Sequence, residues 1–445
     1  MNQKRSGPSL ANFVERLRKA SGEAGARSGL VRFLQTTTGA ARVATRIWRV
    51  RGRSELDARD HDALEELVRQ LGMLKGIPMK MGQLVGFLEL DLPEEMRQLF
   101  AVLQTQSQPT SVQEVGRIVR EDLGSSAETL ITAMDPDPVS IASIGQVHRA
   151  SLGGRQVAVK VRHPQVEQSI RADLSGAAAA TAIAGRMLPG IGASAREFVS
   201  EATDRFLEEC DYQLEAERQR LFHRLFADHP DIVVPEVLDA WCGPRVLTSS
   251  WEHGQDFETF VASAAQLERD RAGRALFEAY VGTLYRRRVF HADPHPGNYR
   301  FREGGVVVLF DYGCVRVFEP EVVTAFVALA EAVRAGDEER MRSALGRLGA
   351  EPSADRKAFS RIRALLEGFF GPLLKPGPHP IDSSVTLHMR QLARDKLAIA
   401  RMRLPGKLLF LMRLRFGLYS VLARLGAVCD WSALEEGWAE GARSP

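Results

Sequence analysis

The sequence has few of the features that mark disulfide-rich, zinc-binding or secreted proteins. Its four cysteines are scattered along 445 residues, with no Cys-x-x-Cys pair and no histidine cluster at zinc-binding spacing. This distribution argues against a disulfide scaffold or a zinc finger and predicts reduced thiols in the cytoplasm. A secretory signal needs an apolar core of at least about seven residues near the start, and none is found there. We therefore expect a cytoplasmic protein without a signal peptide.

Long uncharged apolar runs are also missing. A transmembrane helix needs about twenty largely apolar residues. The alanine-rich stretch at 176–185 is too short, and the apolar stretch at 408–425 is interrupted by Arg413, Arg415 and Arg424. The sequence therefore predicts no transmembrane helix. Aromatic residues make up 7% of the chain and do not alternate with arginine, so nucleic acid is not an expected partner.

Charge is nearly balanced over the whole chain but uneven along it. The net charge is +3, yet residues 1–54 hold twelve Lys or Arg and only two acidic residues. Leu10, Phe13, Val14 and Leu17 stand at helical spacing within this basic arm. Two interpretations stay open: the arm lies on the anionic inner face of a membrane as a peripheral contact, or it packs on the enzyme.

The densest group of polar residues is the stretch HADPHPGNYRFREGGVVVLFDYG, from His291 to Gly313. His291 and His295 are four residues apart, the spacing at which two imidazoles on a helix bind zinc in metalloproteases. Pro294 and Pro296 remove backbone donors and disfavour helix at the residues before them. The segment is therefore predicted to be a loop, which argues against this zinc site.

The same stretch fits the catalytic loop of a kinase, which reads His-x-Asp, four residues, then Asn, with an Asp-x-Gly segment after a later strand. His291, Asp293 and Asn298 match the first part, and Asp311 with Gly313 matches the second. The residues between Asn298 and Asp311 predict a short hairpin that brings the two side chains together. Mg²⁺ prefers hard oxygen ligands, so Asn298 and Asp311 are the candidate metal ligands and Asp293 the candidate catalytic carboxylate.

A kinase also needs a lysine that reaches the α and β phosphates, usually within a Val-Ala-x-Lys run. The segment RQVAVKVRHP predicts a strand that carries Lys160 as the one charge inside its apolar part. No Gly-x-Gly-x-x-Gly precedes Lys160. Instead, the segment DPVSIASIGQVHRASLGGRQVAVK predicts a strand, a turn and a strand. Backbone amides of a small-residue turn, here within Ser140 to Gln146, can cradle phosphates.

A partner for Lys160 is expected on a following helix. The segment EFVSEATDRFLEECDYQLEAERQRLF, residues 197–222, is predicted to form one long helix with many acidic candidates. Asp211 and Glu215 would share one face of it at i,i+4 spacing. Spacing alone leaves the choice of partner open.

Six ordered motifs give the chain a resemblance to the UbiB family of atypical kinases, also called AarF-like or ADCK-like. They read LKGIPMKMGQ, SIASIGQVH, VAVK, ECDYQLEA, HADPHPGN and DYG, in this order, and the resemblance covers roughly residues 60 to 330. The resemblance implies an α+β, bilobal protein-kinase-like fold, with a mixed N-lobe of antiparallel sheet plus added helices and a mainly helical C-lobe. The expected divisions are a basic extension at 1–58, a family-specific helical segment at 59–125, an N-lobe at 126–250 with a helical insertion at 164–200, and a C-lobe at 251–445.

The resemblance also assigns further residues. Lys80 and Gln83 match the family's Lys-x-Gly-Gln signature, on a helix that covers the place of a protein substrate. Lys80 would reach Glu209 or Asp211, and Glu215 would pair with Lys160.

The family's alanine-rich nucleotide loop is matched by Ser143, Ile144, Gly145 and Gln146. Two of its usual alanines are replaced by Ser140 and Ile141, and the hinge at 246–251 lacks the Met-Glu pair of many relatives. Hinge recognition of adenine uses mostly backbone groups, so ATP is the expected nucleotide.

The expected function is therefore a Mg²⁺-dependent, ATP-binding kinase or ATPase, which the resemblance links to isoprenoid-quinone or other lipid metabolism. Two alternatives stay open. The first is a small-molecule phosphotransferase of the aminoglycoside- or choline-kinase type, because the catalytic loop resembles theirs. The second is a nucleotide-gated lipid-binding module that uses apolar helices and the basic arm at a membrane.

Overall fold

The structure is a computed structural model that describes residues 109–142, 144–164, 166–168, 171, 207–291, 293–350, 356–382 and 406–443. The chain divides into two compact units. The first comprises Met1–Gln213 with Leu238–Thr248, and the second comprises Leu214–Val237 with Ser249–Pro445. The predicted divisions at 1–58, 59–125, 126–250 and 251–445 stay predictions.

The described part of the first unit includes helices and an antiparallel sheet. Among its helices are α1 (Val112–Leu123) and α2 (Ala127–Ala133). Its sheet has the order β1-β2-β3-β5, with strands β1 (Ser140–Ile141), β2 (Gly145–Leu152), β3 (Arg155–Arg162) and β5 (Val246–Ser250). This arrangement confirms the strand, turn and strand predicted before Lys160.

Strand β3 shows why the Val-Ala-x-Lys run folds as it does. Side chains of a strand alternate between its two faces. Val157, Val159 and Val161 are at most 1% exposed and pack with α1 and α2 in the core of the first unit. Lys160 lies on the opposite face, where it is half-buried. The strand predicted for this run is confirmed.

The long helix predicted over residues 197–222 is wrong within its described part. Residues 207–209 are helical, Cys210 forms a turn, and a new helix, α3, begins at Tyr212 and ends at Leu225. The Asp211 carboxylate accepts a hydrogen bond from the Gln213 backbone N–H at 3.1 Å. Such a cap starts a helix in place of continuing one. Apolar periodicity alone did not reveal this break.

The second unit is mainly helical, as predicted for the C-terminal region. Its described helices after α3 are α4 (Phe257–Ser263), α5 (Gln266–Phe277), α6 (Thr283–Arg287), α7 (Pro320–Ala335), α8 (Glu338–Arg347), α9 (Arg356–Leu374), α10 (Gly406–Leu425) and α11 (Trp431–Arg443). A π-helical turn, Glu278–Gly282, joins α5 to α6. No helix in the described ranges is both long and apolar enough to cross a membrane.

The described part of the second unit also contains short strands. They are β4 (Ile232–Val233), β6 (Val289–His291), β7 (Tyr299–Phe301), β8 (Val307–Leu309), β9 (Val315–Val317), β10 (His379–Pro380) and β11 (Val428–Cys429). β7 and β8 pair in antiparallel register, Tyr299 opposite Leu309, while β6 pairs with β9. The hairpin predicted between Asn298 and Asp311 is confirmed.

A buried ion pair joins two C-terminal helices of the second unit. Arg415 of α10 and Glu435 of α11 are each 3% exposed, and Arg415 Nη1 donates to Glu435 Oε1 at 3.1 Å. Burial alone would lower the pKa of Arg415, but the Glu435 carboxylate raises it above its ordinary value. The aromatic rings of Phe369 and Phe370 lie within 5.4 Å of the guanidinium. These contacts hold α10 in place, because a shift of the helix would leave both buried charges unpaired.

Candidate active site

The catalytic loop connects β6 to β7 and holds Asp293 and Asn298 together. Pro294 and Pro296 prevent helix, and a short 3₁₀ turn, Pro296–Asn298, returns the chain to β7. The Asn298 Nδ2 amide donates to Asp293 Oδ2 at 2.7 Å. This bond fixes the orientation of both side chains, and it leaves the amide oxygen as the Asn298 atom suited to a metal ion.

His291 connects the catalytic loop to the Asp-Tyr-Gly segment. Its Nε2 lies 2.7 Å from the Asp311 carbonyl oxygen. Because a carbonyl only accepts, Nε2 carries the proton, and Nδ1 accepts the Asp293 backbone N–H at 3.4 Å. Burial lowers the pKa of His291 to about 4. The imidazole is therefore neutral at pH 7, and this neutral tautomer satisfies both contacts.

Asp311 adopts a backbone conformation that is unusual for a residue with a side chain. Its φ is +61°, and its Oδ1 accepts the Gly313 N–H at 3.0 Å. Asp and Asn are among the few side chains that tolerate the left-handed region. The Phe310 N–H donates to the Asn298 carbonyl at 2.9 Å, so the hairpin brings Asp311 next to Asn298 along the backbone ladder.

Three side chains hold the backbone of the Asp-Tyr-Gly segment. His291 binds the Asp311 carbonyl, Glu215 of α3 accepts the Tyr312 N–H at 3.4 Å, and Arg218 of α3 donates to the Gly313 carbonyl at 2.7 Å. Glu215 is 2% exposed. Three successive residues are thus fixed from two different elements, and the strained Asp311 is held within this frame.

A pair of buried tyrosines supports the catalytic loop through hydrogen bonds. The Tyr280 hydroxyl donates to the Asp293 carbonyl oxygen at 2.9 Å, and the Tyr299 hydroxyl donates to Tyr280 at 3.0 Å. Tyr280 lies in the π-helical turn, and such turns are frequent at functional sites. Burial raises the pKa of Tyr280 and of Tyr299 well above the ordinary value, so both remain protonated donors.

In the first unit, Lys160 lies over the ring of Tyr212. The Lys160 ammonium is 5.1 Å from the ring centroid, within cation–π range. Tyr212 is fully buried. A Cβ on Gly145 would lie 2.4 Å from the Tyr212 hydroxyl and 2.6 Å from the Val161 carbonyl oxygen. Glycine at 145 is therefore required for β2 to approach both groups.

The predicted nucleotide loop is placed at the start of β2. Ile144 is 5% exposed, and Gln146 is 1% exposed. The Gln146 amide accepts from the Thr110 N–H at 2.7 Å and donates to His148 Nε2 at 2.8 Å. Since these bonds engage its side chain, a contact of Gln146 with phosphate would come from its backbone.

The structure brings together one set of predicted residues and leaves others untested. Asp293, Asn298, Asp311 and Glu215 all surround the same hairpin in the second unit. Lys160 belongs to the first unit, and its predicted ion pair with Glu215 stays a prediction.

Glu209 is half-buried and Asp211 is exposed. Their predicted partner Lys80, together with Gln83 and Ser143, lies outside the described residues.

Several residues of the site were not assigned a role from the sequence. The spacing of Arg218, three residues after Glu215, could have suggested that both face the same segment. Tyr212 stands inside the quoted ECDYQLEA motif and could have been singled out there. Tyr280 is different, because it lies in no motif and only the fold brings its hydroxyl to the Asp293 carbonyl oxygen.

The oxygen donors of the loop suit Mg²⁺. The Asn298 amide oxygen and the Asp311 carboxylate, the two candidate metal ligands, are hard oxygen donors. Within the described ranges, no three His, Cys, Asp or Glu side chains form a cluster that could hold a metal alone. Mg²⁺ typically takes one or two carboxylates plus phosphate oxygens and water. The donor set therefore fits a magnesium ion that arrives with a nucleotide.

Comparison with known proteins gives related chains named as kinases. An Arabidopsis thaliana chloroplast protein, "Protein ACTIVITY OF BC1 COMPLEX KINASE 8", is 29% identical over 61% of this chain and 36% of its own length. The Caenorhabditis elegans "Atypical kinase coq-8, mitochondrial" is 28% identical over 62% of this chain and 37% of its own. The Xenopus laevis "AarF domain-containing protein kinase 1" is 28% identical over 62% of this chain and 54% of its own. The chain thus spans about a third to a half of the length of these relatives.

A solved structure confirms the predicted α+β, bilobal kinase-like fold. Rv3197 from Mycobacterium tuberculosis, in a complex with erythromycin, has a TM-score of 0.60 and 26% identity. The match covers 86% of this chain and 97% of that chain. The family described as "ABC1 atypical kinase-like domain" matches residues 102–345, more than half of the 445 residues. The chain therefore belongs to the ABC1 atypical kinase-like family, the UbiB or AarF group whose motifs its sequence carries.

Proposed function

We propose that this chain is a Mg²⁺-dependent atypical kinase or ATPase, which moves the γ-phosphoryl group of ATP to a hydroxyl acceptor or to water. The observation that carries the proposal is the Asn298–Asp293 hydrogen bond beside the left-handed Asp311. Phosphoryl transfer needs a carboxylate near the attacking oxygen, and an amide and a second carboxylate for the metal. Membership of an atypical kinase family supports the same chemistry.

The residues of the candidate site have separate roles in the proposed reaction. Asp293 accepts the proton of the attacking hydroxyl while the new phosphorus–oxygen bond forms and the bond to ADP breaks. Asn298 and Asp311 would hold Mg²⁺, which would neutralise charge on the phosphates. His291 fixes the loop and the Asp311 carbonyl through its neutral imidazole.

The nucleotide half of the proposal rests on the first unit. Lys160 would bind the α and β phosphates, supported by the ring of Tyr212 beneath it, and pair with Glu215. The phosphates would be cradled by backbone amides of the loop formed by Ser143, Ile144, Gly145 and Gln146. The proposed cover over the site consists of Lys80 and Gln83 with Glu209 and Asp211.

We place this activity in lipid metabolism, with isoprenoid-quinone metabolism as the leading context. The support is the resemblance of the six motifs and the basic arm of residues 1–54. Flotation of the chain with anionic vesicles, compared with a chain lacking residues 1–54, tests the membrane contact. Loss of flotation without the arm is expected, because a basic segment is attracted to an anionic surface. Equal flotation would remove this role of the arm.

The direct test of the enzyme is ATP hydrolysis by the purified full chain, with and without Mg²⁺ and with and without detergent. The decisive variant is Asp311→Asn, which keeps the hydrogen-bonding oxygen and the left-handed preference but removes the charge. Its matched control is Glu303→Gln, the same change of charge at an exposed position in the turn of the same hairpin.

We expect Asp311→Asn to abolish Mg²⁺-dependent turnover while Glu303→Gln retains it. Undiminished hydrolysis by a folded Asp311→Asn variant would reject Asp311 as a metal ligand. Rapid phosphorylation of a soluble alcohol or an aminoglycoside would instead favour the small-molecule phosphotransferase. Binding of nucleotide and lipid without any turnover would favour the lipid-binding module.

A further inference from the structure

Helix α10 contains a glycine where helix stability alone would favour another residue. Gly417 lies in the middle of this helix, Gly406–Leu425. Glycine in a helix interior is less favourable than alanine. A Cβ at position 417 would lie 2.9 Å from Cγ and 3.8 Å from Cδ of Pro294 in the catalytic loop. Carbon atoms do not approach to 2.9 Å without displacement, so glycine permits this contact.

The helix cannot easily move away from the loop. Two residues before Gly417, Arg415 forms the buried ion pair with Glu435 and lies among aromatic rings. Leu418 and Tyr419, which follow Gly417, are at most 1% exposed. Displacement of α10 would break the ion pair and open the core on its other side.

If residue 417 had a side chain, the catalytic loop would move, and not α10. The ring of Pro294 is bonded to its own backbone nitrogen, so a push on Cγ cannot be absorbed by rotation of a flexible side chain. Pro294 is buried and directly follows Asp293, whose carbonyl oxygen is held by Tyr280. A side chain at 417 would therefore displace the backbone that positions the Asp293 carboxylate.

We propose that Gly417 is a positioning residue for Asp293: its missing side chain lets α10 support Pro294 and sets the place of the catalytic carboxylate. This inference rests on the proposed function, because it assigns Asp293 the role described there. It adds to the candidate site a residue more than a hundred positions from Asp293 in the sequence. Gly417 acts through Pro294 and touches neither nucleotide nor acceptor.

The test compares Gly417→Ala with a matched control, Gly437→Ala. Gly437 lies inside α11, and a Cβ there would meet nothing within 4 Å. Both changes favour helix equally, so both variants should unfold at the wild-type temperature or above unless a contact is disturbed. We expect Gly417→Ala to lower kcat of Mg²⁺-dependent ATP hydrolysis by roughly ten- to a hundred-fold, as small misplacements of reacting groups do. The KM for ATP should change less than about two-fold, and Gly437→Ala should keep the wild-type kcat.

A double variant tests the path through Pro294. Pro294→Ala removes the ring atoms that a Cβ at 417 would meet, so the kcat loss caused by Gly417→Ala should be several-fold smaller in the Pro294→Ala background. The wild type, the two single variants and the double variant should also show non-additive changes in the free energy of unfolding. This measurement requires no enzymatic activity.

The outcomes separate the inference from the proposed function. A wild-type chain without turnover would reject the proposed function. Additive effects of Gly417→Ala and Pro294→Ala on the free energy of unfolding would reject the contact between residues 417 and 294. An active wild type with equal kcat in Gly417→Ala and Gly437→Ala overturns the inference alone. A parallel loss of kcat and unfolding temperature in Gly417→Ala, with no effect of the Pro294 background, would show general damage and also overturn it.

Discussion

At the scale of single residues, Asp311 combines backbone strain with several restraints. A left-handed φ in a residue other than glycine costs roughly 1 kcal/mol and persists where surrounding contacts fix it. Here His291 binds the carbonyl of Asp311, and the Gly313 N–H binds its carboxylate. Strain that is held in this way is frequent at functional sites, where it fixes the direction of a side chain.

Asp293 provides the first prediction at this scale. Asp293→Asn keeps an acceptor for the Asn298 amide but cannot take a proton. We expect kcat for ATP turnover to fall by about 10²- to 10⁴-fold, the usual contribution of a general base. The affinity for Mg²⁺-ATP, measured by calorimetry, should stay within a few-fold of the wild-type value. A variant with unchanged kcat would show that Asp293 is not the base.

His148 provides a prediction about stability and pH. Its Nδ1 donates to the Asp135 carbonyl at 2.8 Å, and its Nε2 accepts from Gln146. Burial lowers the pKa of His148 below its ordinary 6.5, although Asp135 and Asp137 act to raise it. Well above pH 6.5 the imidazole is neutral in both the folded and the unfolded chain. As the pH falls below that value the unfolded chain takes up a proton that the folded chain resists, so stability is lost.

Chemical denaturation of wild type and His148→Asn between pH 5 and pH 8 checks this expectation. Asn retains the donor to Asp135 but does not titrate. The difference in unfolding free energy between the two proteins should shrink as the pH falls, because only the wild type is penalised. A difference that is constant with pH would contradict the assignment.

At the scale of elements, the π-helical turn between α5 and α6 supports the catalytic loop. The predicted consequence is that Tyr280→Phe, which loses the donor to Asp293, lowers kcat more than it weakens ATP binding. The free energy of unfolding should fall by about 1 kcal/mol, the usual net value of a hydrogen bond.

Tyr299→Phe is the matched control, because it removes the bond between the tyrosines but keeps the bond from Tyr280 to Asp293. Kinetics and unfolding of both variants are the measurements. Equal kcat in Tyr280→Phe and Tyr299→Phe would show that the bond to Asp293 has no role in turnover.

Local patterns were sufficient for the elements that carry the predicted site. Alternation in RQVAVKVRHP gave β3, and two short apolar runs around Gly304 and Gly305 gave the β7–β8 hairpin. Both glycines have positive φ, 77° and 82°, which explains the turn signal. The helix break at Cys210 and Asp211 was missed because a cap interrupts a helix whose apolar periodicity continues.

Contacts between distant segments could not be read from the sequence. Packing in the second unit creates both the contact of Tyr280 with Asp293 and the contact of Gly417 with Pro294. Neither residue stands in a motif, and a tyrosine or a glycine in a helix has many structural explanations. The elements that carry the predicted site were therefore predictable, whereas the residues that support the catalytic loop were not.

At the scale of the whole molecule, the two units each have their own hydrophobic core and their own share of the predicted site. A ligand that binds only the folded chain stabilises it by mass action. At a concentration of ATP one hundred times the dissociation constant, with Mg²⁺, the stability should rise by about 2.7 kcal/mol.

Thermal unfolding of the wild type with and without Mg²⁺-ATP checks this effect. Asp311→Asn should lose the part of the shift that depends on Mg²⁺. A shift of the same size in wild type and Asp311→Asn would contradict metal binding by Asp311.

The most direct test asks whether Lys160 and Asp311 serve the same nucleotide. An ATP derivative with a reactive acyl group on its terminal phosphate acylates a lysine beside the bound phosphates, and mass spectrometry locates the modified residue. We predict Mg²⁺-dependent acylation of Lys160 that excess ATP prevents and that Asp311→Asn reduces to the level of the exposed Lys375. Acylation of Lys160 that is equal in wild type and Asp311→Asn, or ATP-protected acylation only at other lysines, would contradict the account.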